Sequence, residues 1–112
     1  MSFYIMYIKV KEMSEQKQIS LRSKQKELLQ RFFEIAEVDE NGDLCIPLYD
    51  SSGDLTLFKQ DSRKYQMYAY FRILRLIKKQ IFFIKVKKVK RDKKFLCMHS
   101  NVIDQVKSVL ES

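Results

Sequence analysis

The segment from residue 62 to residue 80 carries basic and aromatic side chains on one side of a predicted helix. At about 100° of rotation per residue, the side opposite the apolar stripe collects Lys64, Tyr68, Phe71, Arg75 and Lys78, flanked by Met67, Arg72 and Lys79. Lysine and arginine bind phosphate oxygens, and aromatic rings contact base edges or stack on unpaired bases. The pattern therefore predicts a surface that binds a polyanion.

A second basic cluster follows directly in the sequence. The segment Ile81 to Val89 is predicted to be a strand, because Phe82, Ile84 and Val86 share one face while Lys85 and Lys87 lie on the other. A charged tip at 90–93 and a return strand over Phe95 to His99 complete a predicted hairpin, and a shift in the alternation at Lys87-Lys88 predicts a bulge. The lysines also fit a solvated edge hairpin that resists aggregation.

The charge is strongly divided along the chain, which has 112 residues and a net charge of +8. The segment 34–54 contains seven acidic residues and no Lys or Arg, whereas 61–94 contains thirteen basic and two acidic residues. A basic half of this kind favours nucleic acid or an anionic membrane surface as its partner. We expect a polyanion to lie against residues 61–94.

The sequence gives little support for catalysis. His99 is the only histidine, two glycines are too few for a phosphate-cradling loop, and no metal-ligand motif is present. Cys45 and Cys97 share no motif spacing and are expected to be small, reduced core residues. We therefore predict a protein that is not an enzyme, with no cofactor and no metal, in the cytoplasm. The apolar run Phe3 to Ile8 is too short to span a membrane, so no membrane partner is expected.

Three regions are predicted to position these side chains. They are an N-terminal strand or arm over 1–19, an α+β domain over 20–100 and a C-terminal helix over 101–112 capped by Asn101. A first helix extends from about Ser20 or Ser23 to Val38, and a second, capped by Asp61 or Ser62, extends to about Gln80. The apolar stripe of the second helix is expected to face the core: Ala69, Tyr70, Ile73, Leu76 and Ile77. No internal repeat is predicted.

The segment 44–58 has two interpretations. Leu44 to Tyr49 and Leu55 to Phe58 are joined by strong turn residues at 50–54, which is typical of a β-hairpin. Alternatively, Leu44 to Leu48 is a strand and Leu55 to Gln60 is a short helix.

With the second interpretation, the order of elements resembles the winged helix-turn-helix family over about residues 20–99. The resemblance is clearest in the basic helix that runs directly into the hairpin, SRKYQMYAYFRILRLIKKQI at 62–81. It implies a winged-helix-like α+β fold, with helices packed on a small antiparallel hairpin sheet. The implied function is duplex DNA binding by a transcriptional or replication regulator, often as a dimer.

The resemblance also implies a role for each basic or aromatic position. The residues expected to face the major groove are Arg63, Lys64, Met67, Tyr68 and Phe71. Those expected to hold phosphates along the helix are Arg72, Arg75, Lys78 and Lys79. Those expected to form the contact of the wing are Lys87, Lys88, Lys90, Arg91, Lys93 and Lys94.

Two other classes of function remain open from the sequence. The same patch suits a protein-interaction module, either a homodimer or a binder of an acidic partner, in which Tyr68 and Phe71 form the seam. It also suits a binder of single-stranded nucleic acid or RNA, in which these two rings stack on bases. A structural alternative makes both rings part of the core.

Overall fold

The computed structural model describes residues 19–88 and 90–111, and the predicted N-terminal strand or arm lies almost wholly outside them. Three helices pack on a four-stranded antiparallel sheet. In chain order the elements are α1 (Ser23–Ile35), β1 (Glu37–Val38), β2 (Leu44–Pro47), a 3-10 helix (Thr56–Phe58), α2 (Arg63–Lys78), β3 (Phe83–Lys88), β4 (Asp92–Met98) and α3 (Ser100–Glu111). The α+β class is confirmed.

The sheet has the strand order β1-β2-β4-β3, so the hairpin strand β4 lies in its centre. One face of the sheet packs against the helices. The most deeply buried side chains include Leu28, Leu29, Phe32, Ile73, Leu76, Phe82, Leu96, Met98 and Val106. Val106 belongs to α3, so the C-terminal helix shares the core of the preceding elements.

The segment 44–58 is a strand followed by a very short helix. β2 pairs with β4 along its whole length and with β1 at Leu44 and Cys45. Pro47 has no N–H to donate to a further strand, and the pairing of the segment 55–58 with the chain before the turn is limited to a single bridge between Tyr49 and Leu55. The chain instead forms the 3-10 helix, which has only three residues.

Several predicted boundaries are wrong for local reasons. α1 ends at Ile35 instead of Val38. The reason is that the backbone of Ala36 is extended and that Val38 belongs to β1, where it pairs with Leu44 of β2. Asn101 does not cap α3: the helix begins at Ser100, whose N–H donates to the carboxylate of Asp43 at 3.3 Å.

The predicted bulge at Lys87-Lys88 is also wrong. The pairing of β3 with β4 is continuous from Phe83 opposite Cys97 to Lys88 opposite Asp92. Val86, near the end of the hairpin, is 48% exposed. Neither face of the hairpin is buried near its tip. The order of apolar and polar residues there is therefore not constrained by the core, and a shift in that order does not indicate a bulge.

The two cysteines are joined across the sheet. Cys45 in β2 and Cys97 in β4 lie directly opposite each other and form a disulfide. The expectation that both remain reduced is therefore wrong in this structure. Spacing along the chain gives no sign of the pairing, since it arises from the register of two strands that are 52 residues apart.

A turn occurs twice, although the sequence was expected to contain no repeat. Residues 39–43 and 50–54 both have the pattern Asp-x-x-Gly-Asp, followed by leucine. In each, the first carboxylate accepts the N–H groups of the third and fifth residues, at 2.9 to 3.1 Å. Gly42 and Gly53 have φ of +83° and +84°, a backbone conformation that residues with a side chain rarely adopt. The two acidic turns, 39–43 and 50–54, therefore have the same backbone conformation and the same hydrogen bonds.

The rotation of α2 about its axis is open to a direct test. Ile73 and Leu76 are fully buried and Lys64 is exposed. We expect Ile73→Ala and Leu76→Ala each to lower the free energy of unfolding by about 2–5 kcal/mol, and Lys64→Ala to change it by no more than about 0.5 kcal/mol. Thermal or urea unfolding measures this. Equal losses for Lys64→Ala and Ile73→Ala would contradict the assigned faces.

Candidate nucleic-acid interface

The outer side of α2 presents large apolar and aromatic side chains to solvent. The exposed fractions are 62% for Met67, 56% for Tyr68, 55% for Phe71 and 40% for Leu74. On the opposite side Ala69, Ile73 and Leu76 are buried. Tyr68 and Phe71 are therefore outside the core, and the structural alternative that buried them is wrong. Leu74, which the sequence analysis assigned to neither side, belongs to this outer surface.

The outer surface of α2 has two edges. At about 100° per residue, the apolar edge contains Met67, Phe71 and Leu74 at helical spacing. The basic edge contains Lys64, Tyr68 and Arg75. The two edges adjoin, since Phe71 lies about 20° from Lys64 around the helix and Lys78 falls within the apolar edge. One continuous surface therefore offers both apolar contact and positive charge.

The beginning of α2 is fixed by two polar side chains. Ser62 caps the helix, and its hydroxyl accepts the N–H of Tyr65 at 3.2 Å. The buried Gln66 accepts the N–H of Leu55 at 3.1 Å and donates to the carbonyl of Asp61 and the carboxylate of Asp54, at 3.0 and 3.2 Å. The amide therefore ties the first turn of α2 to the loop that precedes the 3-10 helix.

Some of the predicted contact residues have partners within the fold. Lys79 donates to the carbonyl of Ser20 at 2.7 Å, just before α1, and to the side-chain oxygen of Gln25 within α1 at 3.4 Å. Arg63 pairs with Asp54 at 2.8 Å, although its side chain is 74% exposed. The guanidinium of Arg72 lies over the ring of Tyr65. Lys79 is therefore directed toward the chain before α1 and is not part of the outer surface of α2. Lys64, Arg75 and Lys78 are exposed on that surface.

The β3–β4 hairpin concentrates positive charge. Lys87 lies directly opposite Lys93 in the ladder, an arrangement that destabilises a sheet. Glu40 lies 3.8 Å from Lys87, whose ammonium also lies over the ring of Phe95. The exposed cations of the hairpin are Lys88, Lys90, Arg91, Lys93 and Lys94. A polyanion would relieve this repulsion.

Residues 48 and 49 connect the hairpin to the surface of α2. The N–H of Leu48 donates to the carbonyl of Lys94 at 2.9 Å, and Lys94 pairs with Val86, so the end of β2 lies beside the half of the hairpin that is nearer its tip. Tyr49 lines a hollow together with Met67 and Tyr70 of α2. Sequence reasoning missed Tyr49. No local pattern in the sequence marks Tyr49, because its position depends on the pairing of β2 with β4.

Lys85 has a structural role. Its ammonium pairs with Asp39, and it lies 3.5 Å from Asp43 and 3.3 Å from the side-chain oxygen of Asn41. The hydrogen bond from Lys85 lowers the pKa of Asp39, assisted by the N–H groups of Asn41 and Asp43. The same pairing raises the pKa of Lys85. The network connects the first acidic turn to the edge strand β3.

The remaining chemistry-bearing residues do not form a reactive cluster. The imidazole of His99 stacks on Phe83 and lies 3.6 Å from Asp43. Among the residues that the structure describes, no group of three His, Cys, Asp or Glu side chains could hold a metal ion. In the same residues, no helix has the length and apolar character needed to cross a membrane.

No family model, curated protein or solved structure matches this chain.

The Asp39 network predicts a dependence of stability on pH. Because the fold favours the ionised carboxylate, the contribution of Asp39 is fully present above its ordinary pKa of 3.8 and is lost as the pH falls through the lowered value. We expect Asp39→Asn to lower the melting temperature near neutral pH. In strong acid, the difference in melting temperature between this variant and the unaltered protein should become smaller. Thermal unfolding across this pH range measures both effects.

The second acidic turn supplies the control. Asp50→Asn removes the equivalent turn carboxylate, which has no lysine partner among the described residues. A constant gap between Asp39→Asn and the unaltered protein at every pH would contradict the role of the ion pair.

Proposed function

We propose that this protein binds duplex DNA through the outer surface of α2 and the β3–β4 hairpin, as a transcriptional or replication regulator. The observation that carries the proposal is the junction at residues 48 and 49, where Leu48 is hydrogen-bonded to Lys94 of the basic hairpin and Tyr49 lines a hollow with Met67 and Tyr70 of α2. A helix that projects from a core fits the major groove, and a neighbouring basic hairpin reaches the flanking phosphates.

The order of elements supports a winged-helix arrangement. An amphipathic helix, a strand, a short helical turn, α2 and a hairpin follow one another as the resemblance requires. One departure stands against it, since the helix before α2 has three residues of 3-10 geometry. The proposal therefore depends on the surface of α2 and the hairpin more than on a full helix-turn-helix.

The contacts divide by chemistry. On α2, Lys64, Met67, Tyr68 and Phe71 meet base edges and thymine methyl groups, with Arg63 beside them. Arg75 and Lys78 bind phosphates along the groove. The exposed cations of the hairpin bind phosphates on the far side.

The apolar edge of α2 supports a second candidate function, a protein-interaction surface. Met67, Phe71 and Leu74 recur at helical spacing and are all exposed. A contiguous apolar surface of this kind commonly contacts another protein. A dimer that forms through this edge would place the same residues in a seam.

The first test concerns the charge of the hairpin. With about six phosphate contacts, log affinity for a duplex should fall against log salt with a slope of about −5. Replacing Lys90, Arg91, Lys93 and Lys94 together by glutamine should reduce the magnitude of this slope by about 3 to 4. It should also lower the affinity for all duplex sequences alike, because phosphate contacts do not depend on the base. Fluorescence anisotropy at several salt concentrations measures both.

A matched variant controls for net charge. Lys24, Lys26, Lys59 and Lys107 lie outside α2 and the hairpin, and replacing them by glutamine removes the same charge. This control should retain most of the slope. A slope near zero for the unaltered protein would exclude the nucleic-acid function, and loss confined to certain sequences would show that the hairpin does not bind phosphates.

The second test concerns the exposed rings. Tyr68→Ala combined with Phe71→Ala should weaken duplex binding and sequence discrimination with little change in melting temperature, because both side chains are more than half exposed. Ile35→Ala combined with Val38→Ala is the control, since it removes comparably exposed apolar side chains elsewhere. A greater loss on single strands, about 1–3 kcal/mol per stacked base, would favour the single-strand function. Conversion of a dimer to monomers in sedimentation would favour the protein interface.

A further inference from the structure

Tyr49 occupies a fixed position between the two proposed DNA contacts. It lies two residues beyond the end of β2, is bridged to Leu55 and is 45% exposed. The preceding residue, Leu48, is buried and is hydrogen-bonded to the carbonyl of Lys94. The backbone on both sides of Tyr49 is therefore held in place.

The hollow beside Tyr49 has a volume of about 200 Å³ and opens toward solvent. Its walls are Tyr49, Met67 and Tyr70, and Arg63 lies at its rim. The guanidinium of Arg63 is oriented by the carboxylate of Asp54 at 2.8 Å and by the carbonyl of Ser52 at 3.4 Å. A positive charge is thus presented in a defined orientation next to two phenol rings.

The polar groups of the hollow select the kind of ligand. Gln66 also lines it, but its amide oxygen and nitrogen are already bonded to Leu55, Asp54 and Asp61. No free carboxamide is left to recognise a base edge. What remains is a guanidinium and phenol hydroxyls, which are suited to donate to phosphate oxygens.

The phenol of Tyr49 remains protonated at neutral pH. Partial burial raises the pKa of Tyr49 above its ordinary value of 10.0, and the neighbouring Tyr70 raises it further. The hydroxyl is therefore a hydrogen-bond donor under all physiological conditions.

We propose that this hollow receives one phosphodiester group of the DNA backbone where a strand passes from α2 to the hairpin. Tyr49 donates a hydrogen bond to a phosphate oxygen, and the guanidinium of Arg63, which Asp54 holds in place, donates a second. This subsite rests on the proposed DNA-binding function and adds to it two contacts that are indifferent to sequence, one of them from an uncharged side chain.

The salt dependence of binding separates the two donors. A phenol releases no counterion on binding a phosphate, whereas a guanidinium does. Tyr49→Phe should weaken binding to a labelled mixed-sequence duplex about tenfold, as for loss of one hydrogen bond to a charged group, with the salt slope unchanged. Arg63→Gln should weaken binding and also reduce the steepness of the slope by about 0.9.

The control is Tyr65→Phe, whose ring lies against Phe58 and Arg72 and does not line the hollow. It should bind as the unaltered protein does. Melting temperatures of all variants identify any loss that results from unfolding.

Each outcome has a distinct meaning. If the unaltered protein binds with a steep salt slope and Tyr49→Phe binds equally well, the subsite is overturned and the proposed function stands. A change of slope, a lower melting temperature or a sequence-selective loss in Tyr49→Phe would also overturn it, since the phenol would then act in another way. If the unaltered protein binds no duplex, the proposed function fails and the subsite fails with it.

Discussion

The hydrogen bonds of the Gln66 amide are the constraint on which the candidate interface depends. This buried side chain joins the first turn of α2 to Leu55, Asp54 and Asp61. Without these bonds, the N–H of Leu55 and the carbonyl of Asp61 would lose their partner in a poorly solvated site, which is costly. The amide therefore helps to fix the position of the second acidic turn relative to α2. Arg63 is held by the same turn through Asp54 and Ser52, and Tyr49 directly precedes the turn.

The sequence predicted what depends on local periodicity and missed what depends on distant pairing. The rotation of α2 follows from the spacing of Ile73 and Leu76, and the structure confirms that rotation. The end of α1, the capping of α3 by Asp43 and the Cys45–Cys97 disulfide all depend on β2 and its neighbours, and no local pattern encodes them. For the same reason Tyr49, with no periodic neighbour, was absent from the predicted site.

The net charge of the chain overstates the charge available to a partner. Lys85 is held by Asp39 and Asp43, Lys79 by the start of α1, and Lys87 lies beside Glu40. The acidic segment is similarly used, since Asp39 and Asp50 shape the two turns. Part of the charge in both the acidic and the basic half of the chain thus serves to stabilise the fold. Among the residues that the structure describes, the remaining cations lie mainly on the outer surface of α2 and on the hairpin.

The end of α2 has a consequence for the entropy of association. Gln80 takes a left-handed conformation with φ of 66°, and the N–H groups of Gln80 and Ile81 bond back to the carbonyls of Ile77 and Leu76 at 2.9 and 3.0 Å. Ile81 and Phe82 are then buried before β3 begins, so no flexible linker separates the helix from the hairpin. The outer surface of α2 and the hairpin are therefore joined by a short, buried connection. Under the proposed function, little conformational freedom would be lost on binding, and any adjustment of the angle between groove and flanking phosphates would fall to the DNA.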